Sequence, residues 1–386
     1  MSDVLIVGGG VIGLSLAYEL AGKGARVHVL DAGQPGREAS WAGAGILPPA
    51  PADGDDSLEQ LTALSNDLHR QWSQELRAAT GIDNGYRRCG AIYLEREAAA
   101  AERLTQFAAF AQLRGVRAEL LSPENLAERE PAVASAAVRA AYLVPDECQI
   151  RNPRHLRALL MGCEQRGVQI TPCAAAEAFD VGADRVRAVR TAAGTFAADK
   201  FCIATGAWSA LLAARLGASP AIKPIRGQML LFQASQPVLA RIVNEGSRYL
   251  VPRGDGRVLA GSTEEDVGFD RSTTSGATSA LLGFALALVP DLAAATLERT
   301  WAGLRPATAD GLPYLGPVPD LANVWMAAGH FRGGLQLSTG TALVMGQLLR
   351  GLAPQIDLGR FRIDRATSGA APPRTARPRR RELPLH

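Results

Sequence analysis

Residues 4–13 read Val4-Leu5-Ile6-Val7-Gly8-Gly9-Gly10-Val11-Ile12-Gly13. The first four form a short unbroken apolar run, which suits a strand covered on both faces. The next six have the spacing GxGxxG. Gly13–Gly22 reads as a helix, and Arg26–Asp31 (RVHVLD) as a second strand that ends in an acid. Strand, tight turn, helix and strand in succession build a parallel sheet. Gly8 permits the tight turn, Gly10 lets the backbone approach a pyrophosphate, and Gly13 lets the helix settle on the sheet. The helix N-terminus attracts phosphate charge, and Asp31 is placed to accept hydrogen bonds from a ribose. The fingerprint therefore nominates Gly8, Gly10, Val11, Ile12, Gly13 and Asp31 as dinucleotide-binding residues, without choosing between a nicotinamide and a flavin.

Outward from this unit, Ser57–Thr80 has helical periodicity and Gly90–Arg96 reads as a strand. Helices are expected at Ala98–Arg114, Leu121–Glu130 (opening with Ser-Pro-Glu) and Pro153–Gly167. Phe201–Thr205 is a short apolar strand that ends in a glycine turn. Gln228–Gln233, Tyr249–Pro252 and Val258–Ser262 suggest an antiparallel sheet. Leu281–Leu288 reads as a helix, Val324–Ala328 as one more buried strand and Gln336–Leu349 as a final helix. Parallel-sheet signals thus stand at the start, middle and end of the chain, with antiparallel signals between them. The expected class is α/β: a Rossmann-like dinucleotide-binding domain from residues 1–85, 145–222 and 300–365, with an inserted substrate domain from 86–144 and 223–299 that contains an antiparallel sheet. Residues 366–386 are too rich in Pro, Arg and Ala to bury a core and read as a disordered basic tail.

Composition narrows the function. The net charge of the 386 residues is +3, but Gly369–His386 holds five Arg and one Glu, so the body is about −1. That argues against a nucleic-acid-binding body. Five cysteines without a CxxC suggest neither a disulfide framework nor a metal or iron–sulfur site. No apolar run reaches the ~18–20 residues of a membrane span, and the glycine-broken N-terminus reads as a strand and turn rather than as a signal peptide. A cytoplasmic enzyme is expected.

A second loop bears on the ligand. Glu38–Leu47 (EASWAGAGIL) follows the ribose-binding strand, and its small residues Ala39, Ser40, Gly43, Ala44 and Gly45, with Ile46, let a backbone approach a bulky planar group. With this loop the chain resembles the D-amino-acid oxidase family of flavoenzymes, and within it the glycine-oxidising branch connected with thiamine biosynthesis. The resemblance runs from residue 1 to about residue 365. Besides the two stretches above, it rests on IATGAWS at 203–209, RGQML at 226–230, RYLVPR at 248–253, WAGLRPATADGLPYLG at 301–316 and AAGHFRGGLQLSTG at 327–340.

The resemblance implies non-covalent FAD, with further cofactor contacts at Thr205, Gly206, Trp208, Gly303 and Arg305, and along His330, Phe331, Arg332, Gly333, Gly334 and Leu335. It implies that Arg305 grips a substrate carboxylate, that Tyr249 reaches the same group, and that Arg332 is a second arginine at the site. A planar guanidinium independently suits Arg305 to the task, because it holds a carboxylate by two parallel bonds and stays charged when buried. The implied reaction is hydride transfer from the α-carbon of glycine, sarcosine or a small D-amino acid to the flavin. The imine then yields a 2-oxo acid and ammonia, dioxygen is the acceptor, and hydrogen peroxide forms. A homotetramer is also implied. Rival readings are a sarcosine or D-proline oxidase, a flavin dehydrogenase that feeds a quinone or partner protein, and a non-catalytic flavin-binding subunit. His330 reads as a packing residue beside the flavin. The final helix, with Ser338 and Thr339 in its first turn, is expected to aim its N-terminus at the flavin. Glu264 departs from the apolar residue of some family members, and a carboxylate there would repel the substrate's own unless it turned toward solvent or toward the substrate ammonium.

Overall fold

A computed structural model describes residues 2–51 and 54–365; the tail expected at 366–386 lies outside the described residues. Ser2–Val7 is the centre of a parallel sheet, flanked by Val27–Leu30 on one side and Gly194–Ile203 on the other. Gln169–Thr171 extends the first edge and Val324–Ala328 the second, both parallel. Leu5, Ile6, Val29, Phe201 and Ile203 are fully buried, as strands covered on both faces require. The helices Val11–Gly22, Ser57–Thr80, Asn152–Gln165 and Ser338–Leu349 close one face through Leu14, Leu61, Leu76, Leu159 and Val344. On the other face lies a cluster around Leu5, Phe201, Leu212 and Tyr314.

The second sheet has eight strands, in the order Thr296–Thr308, Ile222–Gln233, Arg257–Gly261, Arg248–Pro252, Ile242–Glu245, Ala91–Glu95, Ala140–Val144 and Glu119–Leu120. Neighbours are antiparallel except Ile242–Glu245 on Ala91–Glu95. Side chains alternate in two layers. Leu230, Phe232, Leu250 and Ala260 pack with Leu281 and Phe284 of the helix Ser275–Leu288. Met229, Tyr249, Val251 and Trp301 form a separate cluster on the opposite side.

Several elements follow the sequence reading closely: Ser57–Thr80 and Val324–Ala328 have the expected bounds. The hairpin Ala178–Gly182 with Arg185–Thr191 was not expected, and neither was the strand Thr296–Thr308. In the latter, glycine and proline break the alternation that marks a strand. Tertiary pairing overrides this: Gly303 faces Gly227 and Pro306 faces Pro224 across the long pairing with Ile222–Gln233. Among the described residues no helix is long and apolar enough to cross a membrane.

Candidate active site

A cavity of ≈ 620 Å³ lies at the carboxyl ends of the parallel strands and reaches the second sheet. Its wall begins at the glycine turn with Gly8, Gly10, Val11 and Ile12. Gly8 has φ +115°, and a Cβ there would lie 2.4 Å from the Ala204 carbonyl oxygen. Gly13 is not on the wall. Its hydrogen faces the turn instead, where a Cβ would come within 1.9 Å of the Gly8 carbonyl oxygen, so its part is to let helix and strand touch. Asp31 lies on the wall, with Oδ2 accepting from the Gly9 N–H at 2.7 Å and Oδ1 from the Gly33 N–H at 2.8 Å. These two bonds orient the carboxylate and leave each oxygen a further lone pair.

Ala39, Ser40, Gly43, Ala44, Gly45 and Ile46 line the next stretch. Ser40 Oγ accepts the Val11 N–H at 2.9 Å, and Asn152 Nδ2 donates to the Ser40 carbonyl at 2.7 Å. Arg253, almost fully buried, donates to the Ala44 carbonyl at 2.6 Å and to Gln149 Oε1 at 2.6 Å. Burial pulls its pKa down to about 9. Sequence reasoning missed Asn152 and Arg253; Arg253 ends the stretch RYLVPR, which was read only for its tyrosine. Gly303 lies behind the loop, where a Cβ would come 2.5 Å from that of Ala42, and does not reach the wall.

Thr205, Gly206 and Trp208 continue the wall, and the turn His330, Phe331, Arg332, Gly333, Gly334 and Leu335 closes it. Phe331 holds a left-handed backbone, φ +46°. His330 is buried, its Nε2 is 3.1 Å from Thr341 Oγ1, and burial depresses its pKa to about 3. A neutral ring pinned to the final helix fits the packing role. The bounds expected for that helix are corrected. It starts at Ser338 rather than near Gln336, and neither Ser338 nor Thr339 lines the cavity. Both hydroxyls turn inward, Ser338 Oγ donating to the Leu335 carbonyl at 2.8 Å and Thr339 Oγ1 to the Ser65 carbonyl at 2.9 Å. The Gly340 N–H goes to Ser65 Oγ of the long helix beside it at 3.1 Å, whereas Leu335 and Gln336, just before the helix, lie on the cavity wall.

At the other end, Arg305 projects from Thr296–Thr308. Its Nη2 donates to Ser262 Oγ at 2.8 Å and its Nη1 to the Thr263 carbonyl at 3.2 Å. No carboxylate of the described residues pairs with it within 4.0 Å. Burial and the nearby Arg332 guanidinium lower its pKa, against the opposing influence of Tyr249 and Glu264. Gly227, opposite Gly303, leaves the space the guanidinium fills: a Cβ there would be 2.0 Å from Arg305 Nη1. Tyr249 also lines the cavity beside the Arg305 guanidinium, and its hydroxyl lies 3.5 Å from the Met229 sulfur, a weak acceptor. Arg332 lines the wall too, but its Nη2 is paired with Glu264.

Further along the second sheet, Tyr93 and Asn244 face each other on the wall. The Tyr93 hydroxyl donates to Glu147 Oε2 at 2.7 Å, and Glu147 is fully buried with Oε1 unpartnered. Burial raises the Glu147 carboxyl to about 7.

The glycine turn, the oriented Asp31 and a cavity of this size fit a dinucleotide cofactor. Comparisons with known proteins bear on which one. The family model described as FAD dependent oxidoreductase matches residues 3–348. A glycine oxidase of Pseudomonas putida is 36% identical over 359 residues, covering 92% of this chain and 96% of that protein. A bifunctional ThiO/ThiG protein of Trichormus variabilis is 31% identical, covering 90% of this chain and 52% of the longer protein. The crystal structure of a glycine oxidase from Geobacillus kaustophilus superposes with a TM-score of 0.90 at 34% identity, covering 95% of this chain and 99% of that one.

Proposed function

The chain belongs to the FAD-dependent oxidoreductase family and is an enzyme whose cofactor is FAD; from that premise we propose that it oxidises glycine and other small amino acids, sarcosine and small D-amino acids among them, at the α-carbon. The observation that carries this reading is the half-buried Arg305 guanidinium, which faces the cavity with no carboxylate of its own among the described residues. Such a group is costly to bury unless an anion completes it.

In this reading Gly8, Gly10, Val11 and Ile12 hold the pyrophosphate and Asp31 the ribose, while Ala39–Ile46, Thr205–Trp208 and His330–Leu335 hold the ring system. FAD, when bound, accepts the hydrogen and the electron pair that leave the α-carbon. The protein's own work is positioning. Ser262 and the Thr263 carbonyl fix the plane of the Arg305 fork, and its remaining N–H groups take the substrate carboxylate. The Tyr249 hydroxyl exchanges its weak sulfur contact for a bond to the same carboxylate. His330, neutral and tied to Thr341, takes no proton. The amine is oxidised to an imine, which water converts to a 2-oxo acid and ammonia. Dioxygen is the terminal acceptor and hydrogen peroxide the second product. The likeness to glycine oxidase and to ThiO/ThiG supports a place in thiazole synthesis for thiamine.

Anaerobic addition of glycine to the holoenzyme tests the reading. Bleaching of the flavin absorbance is the expected result, with peroxide appearing once air is admitted. No bleaching by glycine, sarcosine or small D-amino acids would overturn it.

A further inference from the structure

At the proposed substrate end of the cavity Arg305 and Arg332 line the wall, and Glu264, exposed and off the wall, pairs with Arg332. Arg305 is unpaired, whereas Arg332 is committed to Glu264. Arg332 and Glu264 both influence Arg305, so the three act as one electrostatic group. The other charged residues of the cavity wall, Asp31, Arg37, Glu38 and Arg215, belong to the connections that follow Val27–Leu30 and Gly194–Ile203. The substrate end therefore carries one uncompensated positive charge, which matches a single carboxylate.

Glu264 is held in place from both sides. The Thr263 hydroxyl oxygen accepts the Gln228 N–H at 2.9 Å. Glu265 exchanges backbone bonds with Arg226 at 2.9 and 3.0 Å. Its carboxylate takes Gln228 Nε2 at 2.9 Å and pairs with the buried Arg226 guanidinium, which also pairs with Asp270. The backbone that presents Glu264 is thus tied on both sides, and its carboxylate meets Arg332 from there. Only part of the Arg332 guanidinium is satisfied, since its Nε is buried without a partner. A guanidinium in that state would readily accept a second anion if Glu264 released it.

We propose that Glu264 is a specificity-determining residue: by occupying Arg332 it restricts the site to monocarboxylate amines and excludes glycines that carry a second acidic group on nitrogen. The substrate part of this inference rests on the proposed amino-acid oxidation, whereas the charge-masking part does not. An acid placed against a site loses affinity for dianions more steeply than for monoanions, because the repulsion scales with ligand charge.

The test uses the holoenzyme and its Glu264→Gln variant, with Glu264→Ser as a second variant should the amide disturb folding; flavin content and melting temperature report that. Acetate and malonate, which cannot be oxidised, are titrated by their perturbation of the flavin spectrum. Glycine and iminodiacetate are compared by kcat/KM. Wild type is expected to bind malonate no more tightly than acetate. Removing the Glu264 charge is expected to raise the malonate-to-acetate preference about tenfold or more, and the iminodiacetate-to-glycine ratio with it. Adding Arg332→Met to the variant should abolish the gain. An unchanged preference in Glu264→Gln, or a gain that survives in the double variant, overturns the inference. The anion titrations need no turnover, so a wild-type enzyme that no amino acid bleaches would refute the proposed oxidation while the masking of Arg332 is still read.

Discussion

The two ends of the cavity are made of different material. The nucleotide end is mostly backbone: glycines that admit close approach, N–H groups that orient Asp31, and a loop of small residues held by Asn152 and Arg253. The end we assign to the substrate is mostly side chains. Arg305, Tyr249, Ser262, Glu264 and Arg332 come from separate strands and loops and are tuned by who pairs with whom. A backbone site tolerates little added volume and is nearly indifferent to charge. A side-chain site should behave the other way round: substitutions there alter which ligand is held while the fold persists.

The sharpest way to break this contrast is to add one methyl group at the nucleotide end. Gly13→Ala would place a Cβ 1.9 Å from the Gly8 carbonyl oxygen, which is backbone and cannot swing aside. The helix Val11–Gly22 must then lift from the strand, and the turn must open. We expect the variant to purify with little or no FAD, and its melting temperature to fall by an amount corresponding to roughly 3 kcal/mol or more. Flavin content after gel filtration is the direct measurement. A variant with normal FAD occupancy would show that the turn does not need this contact.

At the substrate end the expected effect is smaller on the fold and confined to catalysis. Arg305→Ala should retain FAD and near-normal melting, and lose roughly 10²–10³-fold in kcat/KM for glycine, the usual consequence of removing one side of a buried charge-assisted pair. Arg305→Lys should recover only part, since lysine lacks the two-pronged fork and cannot keep both Ser262 and a carboxylate in plane. Nearly normal glycine kinetics in Arg305→Ala would move the carboxylate site elsewhere.

The same contrast explains what could be read before any coordinates. The nucleotide end is local in sequence: a strand, GxGxxG and Asp31 span about thirty residues, so spacing alone carries the inference. The substrate end is assembled by register. Gly227 faces Gly303, and nothing local says that the first makes room for Arg305 and the second for Ala42. Arg305 and Tyr249 could be nominated only through the family resemblance. The commitment of Arg332 to Glu264 joins residues 68 positions apart and could not be read at all. Ser338 and Thr339 illustrate the opposite error, because their hydroxyls suit a cap but donate to carbonyls instead, Ser338 to Leu335 just before the helix and Thr339 to Ser65 of the neighbouring one.

Buried titratable groups sharpen the comparison with the smallest expected effect. Beneath the nucleotide end, burial depresses His69 to about 4 and His155 to about 3. Such histidines support the fold above the unfolded value of about 6.5 and lose that support as pH falls. Glu147, under the second sheet, has the opposite sign. Its folded value is raised to about 7, so its contribution is fully present below the unfolded value near 4.5 and is lost as pH rises through about 7. Glu147→Gln keeps an acceptor for the Tyr93 hydroxyl and cannot ionise. Relative to wild type the variant should therefore gain between pH 5 and pH 8, by an amount on the order of 1–3 kcal/mol at the upper end. Melting of the two holoenzymes across that range reads the difference directly, because the histidines are common to both and cancel. If the difference stays flat with pH, the Glu147 carboxyl is already ionised in the folded chain, and its burial beside Tyr93 must be compensated by a partner other than a proton.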